Sequence, residues 1–241
     1  MHRVGIRQEI VERVMRRRGR LHLFDRLDPS ETALIVIDMQ GTFVAPGSPA
    51  EVPLSRAIVP AINRLAAALR PLRAMVVWVT HANTHDRHGS DWDGFFENFV
   101  ADEVRQRTIE SLAPGAQGQK LWHELVISDD DHFIFKNRYS ALIPGSSQLE
   151  RVLRSHGVRN LLIAGTKTNV CCESTARDAM MLDFNVIMVA DCMAALSDDE
   201  HRATLETMIQ QFSDVMTVDE VLGVLSPRVQ ARATASTGRT K

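Results

Sequence analysis

Residues 32–38, TALIVID, form a short and almost wholly apolar run that ends in an acid. Four more runs of this kind follow: AMVVWVT (74–80), HFIFK (132–136), RNLLIAGT (159–166) and NVIMVAD (185–191). Apolar runs of this length, rich in Val and Ile, read as strands buried on both faces. Between them the period changes. LSRAIVPAINRLAAALRPLR (54–73), with Pro60 near its start, has helical spacing. So do SSQLERVLRSHG (146–157), which stops at Gly157, residues 170–183, and DDEHRATLETMIQQF (198–212). DVMTVDEVLGVL (214–225) supplies a sixth strand and a last helical turn. Strands alternating with helices predict right-handed βαβ units, a mostly parallel sheet and an α/β fold.

Three segments lie outside this alternation. Residues 5–18 predict an amphipathic helix with Ile6, Ile10, Val11 and Val14 on one stripe, ended by MRRRGR. Residues 1–30 are therefore an N-terminal helical extension whose basic side is a solvated face, on a domain spanning residues 31–225. The Ser/Thr/Arg-rich tail, residues 226–241, is expected to be disordered. Residues 81–131 carry HANTHDRHGSDWDGFFENF and little strand pattern, beyond short helices. A long insertion after the C-terminal end of a strand is where an α/β protein builds its site.

Composition narrows the classes of function. The 241 residues are 44% hydrophobic with a net charge of -2, enough for one core and no electrostatic reason to expect nucleic acid. No apolar run approaches the roughly 20 residues of a membrane span, and the N-terminus lacks the apolar segment of a secretory signal. Three cysteines, two of them adjacent, make a poor disulfide framework, so reduced thiols and a cytoplasmic location are expected.

Ligands of a parallel sheet bind beyond the carboxyl ends of its strands. Asp38, Thr80, His81, Lys136, the turn 165–172 and Asp191 all fall there. Cys171 starts a helix, where free backbone N–H groups and the dipole favour thiolate; alternatively it is a small buried hydrophobe. Asp38 and Lys136 each end an apolar strand, where a charge needs a partner. They form either a salt bridge that caps the sheet or an acid–base pair serving Cys171. Gln40 and Phe43 line the pocket or pack. Trp92, Phe95, Phe96 and Phe99 form a lid or a subunit contact. Tyr139 shapes the site. Trp78, Cys172, Met180 and Met181 read as core.

ALIVIDMQGTF, KNRYSAL and GTKTNVCCESTARDAMMLDFNVIMVAD together resemble the isochorismatase-like cysteine hydrolases, in the family's order and over most of residues 32–220. The resemblance implies a Rossmann-like, three-layer αβα fold around a six-stranded sheet. It maps the family's catalytic residues onto Asp38, Lys136 and Cys171. It also implies an oxyanion hole from the backbone N–H groups of Lys167 and Cys171, brought together by a cis Thr166–Lys167 peptide. Gln40, Phe43, His81, Trp92, Tyr139 and Thr166 are then the residues expected to meet substrate. Family members that cleave an enol ether lack the thiol, so Cys171 argues for C–N cleavage through a thioester. The wording TNVCCESTARDA is similar to the ureidoacrylate amidohydrolase and streptothricin hydrolase types.

No organic cofactor is implied. The nicotinamidase branch holds a metal after the second strand. Here His81, His85, Asp86 and His88 do not match that arrangement, so no zinc is expected. The expected partners are a small-molecule substrate and further copies of the chain, since family members are commonly oligomeric. An enol-ether hydrolase and a non-catalytic assembly module are the alternatives.

Overall fold

The computed structural model describes residue 2, residues 4–87 and residues 89–225. The tail 226–241, expected to be disordered, lies outside the described residues, as does His88. Six strands form one sheet: β1 (Thr32–Ile37), β2 (Met75–His81), β3 (His132–Lys136), β4 (Asn160–Thr166), β5 (Asn185–Ala194) and β6 (Asp214–Met216). Their order across the sheet is β3-β2-β1-β4-β5-β6, and every pairing is parallel. The sheet is thus wholly parallel. The order reverses between β1 and β4, the place where such sheets open a crevice for ligand.

Alternate residues of each strand feed two cores. Ala33, Ile35, Ile37, Val77 and Val79 pack on one face with α1 (Gln8–Arg18), α5 (Leu149–Ser155), α6 (Glu173–Met181) and α7 (Asp198–Gln211). Leu34, Val36, Val76 and Trp78 pack on the other with α2 (Val59–Leu69) and α8 (Val218–Val224). This is a three-layer αβα sandwich. The N-terminal helix belongs to it. Ile10 and Val14 enter the first core, and Arg7 grips Glu206 of α7 with its Nε at 2.9 Å and Nη2 at 2.6 Å. Gly19, at φ 75°, ends the helix where MRRRGR was expected to break it.

HFIFK is not the buried run its composition predicts. It is an edge strand, with Phe133 53% and Phe135 63% exposed and only Lys136 fully inside. Met180 and Met181, expected in the core, are also exposed, because they end α6 on its outer side. Residues 81–131 fold into a two-residue hairpin (His85–Asp86 with Gly89–Ser90), α3 (Asp93–Asn98), α4 (Asp102–Leu112) and a short turn at Gln117–Gln119. Within the described residues no helix is long and apolar enough to cross a membrane.

Candidate active site

Three strand ends converge. β1 ends at Ile37, and the chain turns into the left-handed region at Asp38, φ 56°. The Asp38 N–H still donates to Val79 O at 2.8 Å, so the carboxylate is fixed at the rim of the sheet. Lys136 closes β3, opposite His81 of β2. β4 runs through Gly165 and Thr166, crosses a cis Thr166–Lys167 peptide, and enters a turn of π-helix, Thr168–Cys172. Such π turns recur at functional sites. The close approach of β4 to β1 demands glycine. Gly165 has φ +111°, and a Cβ there would lie 2.0 Å from Ile37 O.

Lys136 is the hub. Its Nζ lies 2.8 Å from Asp38 Oδ2, 3.6 Å from Cys171 Sγ, 3.1 Å from His81 Nδ1 and 3.0 Å from Arg138 O. Burial opposes its charge, but Asp38 and Cys171 outweigh that and raise its pKa, so it stays an ammonium. Asp38 is fully buried against the Lys136 ammonium. Burial pushes its pKa up, and the Lys136 charge offsets part of this. The Cys171 thiol is pushed far above its ordinary value by burial and then by Asp38, with Lys136 again opposing. At rest the site therefore holds a protonated thiol beside a carboxylate whose proton affinity is enhanced. The helix-start environment that favours thiolate is overridden by dehydration.

His81 is part of this network. Lys136 Nζ can only donate, so Nδ1 of His81 accepts and Nε2 carries the proton to Asn83 Oδ1 at 2.7 Å. Burial and the Lys136 charge hold this ring neutral, well below its ordinary pKa. Asn83 in turn donates to Asp91 Oδ1 at 2.7 Å, and Arg138 donates to Asp91 O at 2.7 Å. These contacts seat Trp92, whose ring stacks on His81 with centroids 5.7 Å apart and meets Tyr139 edge-on at 4.8 Å. Asn83, Asp91 and Arg138 were not anticipated; the signal for the first two was a polar segment after β2, and Arg138 lay unremarked within KNRYSAL after β3.

A cavity of about 400 Å³ opens above Cys171. Phe43, Trp92, Phe95, Phe99 and Tyr139 line it, and α4 adds Val104, Thr108 and Leu112. Lys167, His81 and Cys171 form its polar end. Two expected substrate contacts do not reach it. Gln40 is fully buried and spends its amide on backbone, donating to His81 O at 2.9 Å and accepting from His81 N at 2.7 Å. Thr166 is likewise buried and donates to Ala194 O at 3.2 Å. Both brace the site from behind. A second cavity of about 330 Å³, beneath Arg13, Arg17 and Arg18, has no cysteine among its lining residues.

Among the described residues no group of three or more His, Cys, Asp or Glu side chains is placed to hold a metal. His81 is committed to Lys136, and His85 packs edge-on against Phe96 at 4.6 Å.

Residues 32–220 match the isochorismatase domain family. Over 179 residues the chain is 35% identical to a probable inactive nicotinamidase of Arabidopsis thaliana, covering 73% of this chain and 87% of that one. It is 28% identical to the ureidoacrylate amidohydrolase RutB of Klebsiella pneumoniae, covering 85% and 92%. The crystal structure of a cysteine hydrolase from Pseudomonas syringae superposes with a TM-score of 0.74 at 29% identity, over 84% of this chain and 95% of that one. With the all-parallel sheet and its reversal of strand order already in place, these matches assign the chain to the isochorismatase family of hydrolases.

Proposed function

We propose that this chain is a cysteine-dependent amidohydrolase that cleaves the C–N bond of a small amide, ureido or lactam substrate. One observation carries the reading: Lys136 Nζ stands 2.8 Å from Asp38 and 3.6 Å from Cys171, and of these three Cys171 borders the aromatic cavity. Among the relatives reported above, one is named as an amidohydrolase and one as a cysteine hydrolase, which agrees with C–N cleavage by a thiol. The Arabidopsis relative is named as inactive; the reading for this chain rests on its own three residues.

The chemistry follows from the charges. Substrate displaces water from the cavity and brings its carbonyl carbon to Cys171 Sγ. The thiol proton passes to Asp38 as the S–C bond forms, and the carbonyl electron pair moves to oxygen. The N–H groups of Lys167 and Cys171 receive that oxyanion; one such donor is typically worth about 10²–10³ in rate. Asp38 then gives its proton to the departing nitrogen, and the C–N bond breaks to leave a thioester. Water, deprotonated by Asp38, cleaves the thioester and restores the thiol. Lys136 keeps its charge throughout and holds carboxylate and sulfur in register. The aromatic walls favour a substrate whose unreacting part is apolar or planar.

The test is intact-mass trapping of the full chain with a panel of small amides, ureas and lactams. An adduct on Cys171 is expected, with the mass of the acyl half for an amide or urea and of the whole ring-opened molecule for a lactam. No adduct from any member, together with full hydrolysis of an enol ether by a Cys171→Ser variant, would sink the reading in favour of a thiol-independent hydrolase.

A further inference from the structure

His2 lies far along the chain from Asp38, Lys136 and Cys171, yet its side chain is only 2% exposed. Its Nε2 accepts a hydrogen bond from the Ala195 N–H at 2.9 Å. A backbone N–H can only donate, so the ring proton sits on Nδ1, which meets Asp198 Oδ1 at 2.7 Å. The ring stacks flat on His201, with centroids 4.1 Å apart and planes 12° from parallel. His201 Nδ1 is in turn 2.9 Å from Thr168 Oγ1, and both residues are buried.

These contacts close on one peptide. Thr168 follows Lys167. Thr166, which precedes Lys167, donates to Ala194 O and pairs with Ala194 across β4 and β5. The group donating to His2 belongs to the next residue, Ala195. Both flanks of Lys167 are therefore held by groups that His2 touches, one through Ala195 and one through His201. The capping box of α7, in which Ser197 Oγ accepts from Glu200 N at 3.2 Å, fixes Asp198 and His201 for this purpose. Burial, and next the adjoining His2 ring, push His201 down to about 4, with Asp198 opposing. The stacked pair thus carries no charge repulsion at neutral pH.

We propose that His2 is a positioning residue for the oxyanion loop: the N-terminal arm, through Ala195 and the His2–His201 stack, holds the 166–168 backbone so that the Lys167 N–H stays aimed into the cavity. The proposal rests on the hydrolase reading above. Nothing in it needs His2 to touch substrate.

The experiment separates thiol reactivity from oxyanion binding in the full chain. Iodoacetamide alkylates Cys171 without placing charge on a carbonyl oxygen. Benzaldehyde forms a reversible hemithioacetal: the S–C bond forms, the thiol proton goes to Asp38, and the former carbonyl oxygen becomes an alkoxide that the loop must receive. Protection of Cys171 from iodoacetamide by benzaldehyde gives the aldehyde's dissociation constant. In His2→Ala that constant should rise about tenfold, a fraction of a donor's full worth, while the alkylation rate without aldehyde stays within about twofold. His2→Gln, whose amide can both accept from Ala195 and donate to Asp198, should recover most of the affinity. Unchanged aldehyde affinity in His2→Ala overturns the proposal. So does a joint loss of affinity and alkylation rate, which would make His2 a prop of the whole fold. Wild-type Cys171 that alkylates but gains no protection from benzaldehyde would instead overturn the hydrolase reading, and the arm's role with it.

Discussion

The Lys136 ammonium lies 2.8 Å from the Asp38 carboxylate, and both side chains are fully buried. Neither charge is tolerable there without the other. Removing one partner of a buried pair typically costs about 3–5 kcal/mol, mostly from the charge left behind. Lys136→Met should therefore lose that much stability in urea and form no acyl adduct. Adding Asp38→Asn should restore part of the stability and none of the chemistry. A single Lys136→Met variant as stable as wild type would contradict the ion pair.

The adjacent thiols should separate cleanly. Cys171 borders the cavity, whereas Cys172 is sealed with Sγ 3.8 Å from Ala164 O. Cys171→Ala should abolish adduct formation. Cys172→Ala should keep most of it and cost about 1 kcal/mol of stability, the scale of one small buried group. Mass spectrometry and urea titration of the two variants decide the point, and a dead Cys172→Ala would reverse the assignment.

Acid should silence the site early. Burial raises the Asp38 pKa above its ordinary 3.8, and Lys136 offsets only part of that. Asp38 must be unprotonated to accept the thiol proton. As pH falls through its raised pKa, acylation therefore slows, at a higher pH than a solvent-exposed carboxylate would give. The pH profile of adduct formation should show this limb, and an inflection at or below the ordinary carboxylate range would refute it.

Gly165 offers a steric test. A Cβ at φ +111° with Ile37 O at 2.0 Å cannot be relieved by moving a side chain. Strain and overpacking together predict a loss of about 3–5 kcal/mol for Gly165→Ala. A loss under about 1 kcal/mol in chemical denaturation would show that β1 and β4 can part.

On the proposed reading, the cavity wall should set selectivity. Trp92 is held by His81, Tyr139 and the Arg138 guanidinium, which lies 5.2 Å from its ring centroid. Trp92→Ala should weaken half-saturation for aryl amides by about 10–100-fold, the worth of one buried aromatic contact. Formamide, which reaches only the polar end, should be little affected. Equal losses for both would mean that Trp92 supports the site rather than the substrate.

Asp38, Lys136 and Cys171 were legible because each breaks a local rule: a charge ending an apolar strand, a thiol opening a helix. Strand and helix periods likewise pointed to a parallel α/β sheet, and the family resemblance supplied its three layers. Gln40 and Thr166 misled because position near a site does not say which way a side chain faces. HFIFK misled because an edge strand and a central strand can share a composition. The Lys136–His81 contact, the α4 wall and the His2–His201 stack join segments far apart in sequence, and no local pattern announces such pairings.

The sheet order has a consequence for how the proposed activity comes into being. Asp38 and Cys171 arise from the neighbouring strands β1 and β4, but Lys136 comes from β3, with β2 lying between it and β1. No pair of adjacent strands brings the three groups together. A chain emerging from synthesis has made its acid and its lysine long before its cysteine, and the thiol meets them only when all four strands have docked. The proposed acyl transfer at Cys171 thus requires β1 to β4 to be docked together, and a chain in which any one of them is unplaced lacks the assembled trio.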